Sequence, residues 1–350
     1  MQLSFTFPGW KPSMTNPHVL HSSARRAEAS AGQKAGNAGY ALHLADCLVW
    51  MDAQPECSIQ AIVTDPPYGL REYTTEEKRK LRNRRGGVWR IPPSFDGCQR
   101  NPVPRFTVLT ESDLQQLRTF FTSFAGKALR ILVPGGHLFI ASSPLLSHLV
   151  YNPMMAAGFE KRGEIIRLVQ TLRGGDRPKN AHQEFSDVTV MPRSAWEPWG
   201  LFRKPCEGRV QDNLRKWKTG GLRRVAADAP FLDVILSSPT RAEERKIAPH
   251  PSLKPQAFMR QIVRASLPLG VGTVLDPFMG AGSTIAAAVA VGYTSIGVEL
   301  DPLFFAMAEK AIPALASLPV NDTIRVIRAN GVVHLNGKGK TDRGPLHRRL

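Results

Sequence analysis

The sequence predicts an α/β chain built on a doubly wound, mostly parallel sheet. Three observations lead there. Short apolar runs rich in β-formers alternate with helical patterns from about residue 41 to 315. Two of those runs end in loops that an ordinary surface turn would not use, TDPPYGL at 64–70 and DPFMGAGST at 276–284. An acidic residue, Glu299, closes the run that follows the second loop.

Residues 1–38 are rich in Ser, Ala, Gly, Pro and Arg and read as a flexible arm. ALHLADCLVWM at 41–51 predicts a strand ending at Asp46 and then a helix start. SIQAIVT at 58–64 is a strand, and the two prolines after it end it. Residues 71–105 carry ten basic residues against four acidic ones and form a basic insert. Thr110 with Asp113 marks a capping box. The helix it opens is expected to stop at PGG, 134–136. HLFIASS is then a strand, and LLSHLVYNPMMAAG a helix closed by Gly158. Short strands are expected near 164–170 and 186–191. Residues 192–250 hold many Pro, Trp, Gly and basic residues without clear periodicity. QAFMRQIVRASL at 256–267 is helical, TVLDP a strand, STIAAAVAVG a helix and TSIGVEL a strand. Asp301 caps the next helix, with Pro302 at its first position. TIRVIRA adds one more strand, and 331–350 read as a flexible basic tail. One main domain, 39–330, results.

With 350 residues and 42% hydrophobic content, the chain can bury a full core, which excludes global disorder. The net charge of +17 suggests a polyanionic partner, nucleic acid before membrane. Four cysteines, Cys47, Cys57, Cys98 and Cys206, form no CxxC pair and sit at no zinc-finger spacing from a histidine. Neither a metal site nor a disulfide framework is expected, which fits a reducing cytoplasm. The start MQLSFTFPGWKPS lacks a signal core, and no apolar run approaches the roughly 20 residues of a membrane span.

In DPFMGAGST, Gly280 and Gly282 permit a tight turn and close approach of a ligand to the backbone. Glu299 stands where a carboxylate can accept hydrogen bonds from two ribose hydroxyls. A nucleoside-containing ligand follows. A nicotinamide cofactor does not, because the third glycine of GxGxxG is missing after Gly282. Asp46, TDPPYG, DPFMGAG and Glu299 each lie just after a predicted strand, so all four fall on one edge of one sheet.

The pair TDPPYG and VLDPFMGAGST resembles the amino-group DNA methyltransferases. HPSLKPQAF at 250–258, GVELDP and LADCL resemble three further segments of that family. The order, with DPPY first and the Gly-rich motif late, is that of its beta group. The resemblance implies a Rossmann-like, S-adenosylmethionine-dependent methyltransferase fold with a small basic recognition region. It implies that Asp65 and the carbonyl of Pro66 accept hydrogen bonds from the exocyclic amine of a flipped base, that Pro66 and Pro67 keep them rigid, and that Tyr68 stacks on the base. For the cofactor it implies Glu299 on the ribose, Asp46 on the adenine amine, Phe278, Gly280 and Gly282 along the methionine side, and Lys254 on the carboxylate. Asp276 is expected to orient the cofactor amine or to cap the loop, and His250 to support the HPxxKP turn. The form DPPY, more frequent in N6-adenine enzymes, favours adenine. The alternatives are N4-cytosine methylation and a non-catalytic DNA-binding relative.

The implied partner is double-stranded DNA. The recognition region is expected at 192–250, helped by the insert at 71–105. Arg84 and Arg85 in the insert, and Arg215, Lys216, Lys218, Arg223 and Arg224 in the segment 203–224, are the candidate DNA contacts. A restriction endonuclease partner, and the choice between monomer and homodimer, stay open.

Overall fold

The computed structural model describes residues 29–31, 39–67, 110–169, 178, 180–190, 192, 195–250, 252–320, 324–328 and 331–335. The first half of the chain gives β1 (Ala29–Ala31), β2 (Tyr40–Leu44), α1 (Cys47–Asp52), β3 (Ile59–Thr64), α2 (Glu111–Ile131), β4 (Leu132–Ala141), α3 (Ser147–Ala156) and β5 (Glu160–Leu168). Then come β6 (Trp196–Arg203), α4 (Val210–Trp217), β7 (Val234–Leu236), α5 (Ala242–Ile247) and α6 (Gln256–Ser266). The last part gives β8 (Thr273–Asp276), α7 (Ser283–Ala290), β9 (Thr294–Glu299), α8 (Pro302–Ser317), β10 (Ile324–Arg328) and β11 (Gly331–Leu335).

Nine of these strands make one sheet in the order β1-β2-β9-β8-β3-β4-β6-β5-β7. The stretch from β2 to β4 is parallel throughout. β6 runs antiparallel between β4 and β5, and β7 pairs parallel with β5. The chain leaves β3 toward β4 on one side, while β8 and β9 fill the other, so the order reverses between β3 and β8. That is the topological switch point, where open α/β sheets bind ligands.

Period-two alternation places successive residues on opposite faces of the sheet. Ile62, Leu138, Ile140 and Phe202 point to a core shared with α1, α2 and α3. Ala61, Val63, Phe139, Ala141 and Trp199 point to a second core, filled by α6 and α7. A third cluster joins α7 to α8 through Ile285, Ala286, Ala308, Ala311 and Ile312. The caps follow the sequence: Asp46 caps α1, Thr110 and Asp113 form the capping box of α2, and Asp301 caps α8 ahead of Pro302.

Several expectations are corrected. α2 ends at Ile131, and PGG lies inside β4, where Gly135 has φ 74° and the register with β3 slips. The extended strand, not the glycine pair, ends the helix. Residues 186–190 form turns and coil instead of a strand. Within 192–250, read as lacking periodicity, β6 is an interior strand of the main sheet. Pro198 hid it, since proline argues against an interior strand, and burial of Trp199, Leu201 and Phe202 removed the alternation. β1 falls in the arm read as flexible, and β11 in the tail. In GVVHL at 331–335, Val332 pairs in register with Ile327 and Val333 with Val326 of β10. No described helix is long and apolar enough to cross a membrane.

Candidate active site

Four adjacent strands, β2, β9, β8 and β3, deliver Asp46, Glu299, the DPFMGAG loop and Asp65 to one edge of the sheet. Leu44 pairs with Glu299, and Ala45 N donates to the Glu299 carbonyl at 2.9 Å, which sets Asp46 beside Glu299. At the switch point the Thr64 hydroxyl donates to Asp276 Oδ1 at 2.6 Å. The same oxygen accepts Phe278 N at 3.1 Å, so one buried carboxylate joins the end of β3 to the loop after β8. Burial pushes the Asp276 carboxyl up to about 6, against the hydrogen bonds it accepts from Thr284, Thr64 and Phe278. Asp276 caps the loop after β8 through Phe278 N.

Asp65 stands first after β3. Its Oδ2 accepts the Lys254 ammonium, and its Oδ1 is buried with no hydrogen-bond partner among the described residues. Burial raises the Asp65 carboxyl, the Lys254 cation opposes this, and Glu197 adds to it. Glu197 Oε1 lies 3.8 Å from Lys254 Nζ and accepts Trp199 Nε1 at 2.8 Å. Its Oε2 accepts Arg167 Nη1 at 3.0 Å. Arg167 also donates to Ser237 Oγ at 2.9 Å and the Ser238 carbonyl at 3.2 Å, over the face of Phe258. Burial alone would raise Glu197 and lower Lys254, but the opposite charges win: Glu197 is held low and Lys254 high.

On the other side of the switch point, Gly280 has φ 51° and Gly282 φ 84°, conformations that favour glycine. A Cβ on Gly282 would stand 2.5 Å from Ile312 Cγ1, and one on Gly280 3.2 Å from the His250 ring. His250 packs edge-on against Phe304 with centroids 4.4 Å apart, supporting the glycine turn. Glu299 Oε2 accepts Gly280 N at 2.8 Å, and its Oε1 accepts Leu300 N and Asp301 N, each at 2.8 Å. A carboxylate has about four acceptor sites, so one remains for a hydroxyl and a second opens if the Gly280 bond exchanges. Asp46 Oδ1 caps α1 through Leu48 N and Val49 N, while Oδ2 has no partner among the described residues. Phe278 packs against Phe120 and Phe124, half-buried at the edge of the core. This donor set fits a nucleoside cofactor: two acids with acceptor capacity left, and a turn stripped of Cβ atoms.

Lys254 belongs to the same constellation, but its ammonium is on Asp65. Tyr68, Arg84, Arg85 and the insert 71–105 lie outside the described residues. The remaining basic candidates are not brought to this edge. Asn213 of α4 donates to the Pro134 carbonyl at 3.0 Å, at the beginning of β4. Arg223 N donates to Ala265 O, and its guanidinium to Tyr293 Oη just before β9. Arg215, Lys216, Lys218, Arg223 and Arg224 therefore lie at the amino-terminal edge, opposite Asp65. Arg215 pairs with Asp212 and Lys216 with Glu207.

Arg167 and Glu197 were absent from the sequence expectations. β5 runs with β4 and β6 against it, so the end of one and the start of the other meet at the Asp65 edge. The one available signal was an acid among aromatics in AWEPW, which predicts a buried carboxylate needing cations.

Residues 59–310 match the family described as DNA methylase, of the N6/N4 methyltransferase type. The Type II methyltransferase M2.DpnII of Streptococcus pneumoniae is 33% identical over 263 residues, covering 75% of this chain and 84% of that protein. The DNA adenine methyltransferase YhdJ of Escherichia coli is 32% identical over a shorter 77 residues, 22% of this chain and 26% of its own. The fold is similar to that of PvuII DNA methyltransferase (cytosine-N4-specific), with TM-score 0.51, 15% identity, and coverage of 81% of this chain and 87% of that one. A match over most of the chain, which takes in Asp65, the DPFMGAG loop and Glu299, makes the protein a member of the DNA methylase family, which modifies either the N6 amine of adenine or the N4 amine of cytosine.

Proposed function

We propose that the protein is a site-specific DNA methyltransferase that uses S-adenosylmethionine to methylate the N6 amine of a flipped-out adenine. The observation that carries this reading is Asp65 Oδ1, a buried carboxylate oxygen without a partner among the described residues, at the switch point. An exocyclic amine has two N–H groups to place. Oδ1 accepts one and the carbonyl of Pro66 the other, which turns the nitrogen lone pair toward the cofactor side of the edge. The base must leave the duplex for this, because its amine is otherwise paired and stacked. Pro66 and Pro67 hold carboxylate and carbonyl in one geometry, so alignment is built before the base arrives. Tyr68 stacks on the base in this reading.

Glu299, Asp46 and the Gly280–Gly282 turn hold the cofactor, whose sulfonium supplies the electrophilic methyl group. Lys254 is assigned to Asp65 rather than to the cofactor carboxylate. It fixes Oδ2 and leaves Oδ1 as the acceptor. The DPPY sequence and the adenine-specific relative support adenine over cytosine.

The test is labelled methyl transfer to duplex DNA, followed by nucleoside analysis, with Asp65→Ala as control. N6-methyladenine in the wild type and at least about a 100-fold loss in D65A is expected, comparable to removing one preorganised charged contact. N4-methylcytosine would overturn the base assignment and keep the mechanism. Undiminished transfer by D65A would overturn the role of Asp65.

A further inference from the structure

The edge beside Asp65 carries four largely buried ionisable side chains, basic and acidic in alternation: Arg167, Glu197, Lys254 and Asp65. Their side chains are 6%, 14%, 11% and 18% exposed. Only the last two belong to motifs of the family resemblance. The first two come from β5 and β6, and they are over-determined: Arg167 has three hydrogen-bond partners, and both oxygens of Glu197 are occupied. Lys254 is a long, flexible cation with no preferred direction of its own. Its Nζ is held between two carboxylates, with one, Glu197, anchored and the other, Asp65, carrying an open oxygen.

We infer that Glu197, braced by Arg167 and the indole of Trp199, is a positioning residue: it holds Lys254 against Asp65 Oδ2 and so presents Oδ1 to the target amine. The inference rests on the proposed role of Asp65 and adds what sets its geometry. Without the Glu197 charge, Lys254 and Arg167 face each other with no carboxylate between them, and Asp65 is the one carboxylate left to pair with Lys254. Lys254 then swings away from the Arg167 guanidinium or draws Asp65 with it. Either movement displaces Oδ1, and small misplacements of a reacting group are expensive in rate. The groups facing Asp65 across its packed elements are Lys254, Glu197, Arg167 and Asp276.

The test uses the full chain on duplex DNA, with wild type, D65A, Glu197→Gln and Trp199→Phe compared for methyl transfer, cofactor binding and urea denaturation. E197Q keeps the shape and an acceptor for the indole but removes the charge. Its plateau kcat is expected to fall by about 10- to 100-fold, while cofactor KM stays close to wild type. The acid limb of kcat should move to lower pH, because Glu197 is one of the groups that raise Asp65. W199F leaves both charges and only loosens Glu197, so a smaller loss, about 3- to 10-fold, is expected. Wild-type kcat in folded E197Q overturns the inference. So does a loss that merely follows the unfolded fraction, with the acid limb unmoved. If E197Q does not fold, W199F decides: unchanged kcat overturns the inference, and lowered kcat with cofactor binding retained supports it. An inactive wild type sinks the Asp65 reading and this inference together. An active wild type with dead D65A and unaltered E197Q sinks this inference alone.

Discussion

A single carboxylate can be tuned from two directions, and Asp65 is. Burial pushes it up, Lys254 pulls it down, and Glu197 pushes it up again. Among the described residues, Lys254 is thus the neighbour that both occupies an oxygen of Asp65 and favours its charged form. Replacing it with glutamine keeps a hydrogen-bond donor and removes the charge. The folded Asp65, already above the ordinary carboxylate value, should rise further. Because the amine needs the ionised form as acceptor, the acid limb of kcat should move to higher pH in Lys254→Gln, opposite to the shift expected for E197Q. A pH–rate profile of folded K254Q checks this, and an unmoved or lowered limb refutes the assignment of Lys254 to Asp65. The residue scale was only half legible. Asp65, Gly280, Gly282 and Glu299 announce themselves by what surrounds them in sequence. Arg167 and Glu197 do not, because their meaning comes from one another across 30 residues and from Lys254 farther on.

At the scale of elements, the site depends on how the end of β3 is tied to the loop after β8. Asp276 makes that tie from a buried position, accepting Thr64 Oγ1 and Phe278 N. Its carboxyl is raised to about 6 in the fold, against 3.8 for the free group. The folded state therefore binds its proton more tightly than the unfolded state does. The stabilisation is complete below the unfolded value and is lost as pH rises through the folded one. Two pKa units correspond to about 3 kcal/mol. Asp276→Asn can keep the Thr64 and Phe278 bonds, which share one oxygen, through its amide oxygen while removing the titration. The difference in unfolding free energy, wild type minus D276N, is expected to fall by up to about 3 kcal/mol between pH 4 and pH 7. Urea denaturation at both pH values measures it, and a flat difference contradicts the buried carboxylate. The βα units behind this tie were readable because strand, turn chemistry and helix agree locally. β6 was not readable, since Pro198 contradicts the element it occupies. The sheet tolerates it by giving up one ladder donor and placing Trp199 and Phe202 in the two cores.

For the whole molecule, the +17 charge asks where DNA lies. Composition marks 203–224 as a basic segment, but topology decides what it can touch. α4 is fixed to the start of β4 by Asn213 and Thr219, both bonded to Pro134 O. From that level to Asp65 is about six strand residues, or roughly 20 Å. On the proposed role of Asp65, a duplex giving up a base to it is expected along the carboxyl edge, with the body of the sheet between it and α4. Lys218 and Arg224 are exposed on the far edge. Each cation that contacts a phosphate adds close to one unit to the salt slope of binding. The double substitution Lys218→Gln, Arg224→Gln is therefore expected to leave both kcat/KM and the slope of log affinity against log salt near wild type. A titration of binding to a short duplex across salt concentrations tests this directly. A slope reduced by about two would show two lost phosphate contacts, and would mean that DNA bends around the sheet to its amino-terminal edge. An unchanged slope leaves the phosphate grip to the carboxyl edge, the same edge that presents Asp65.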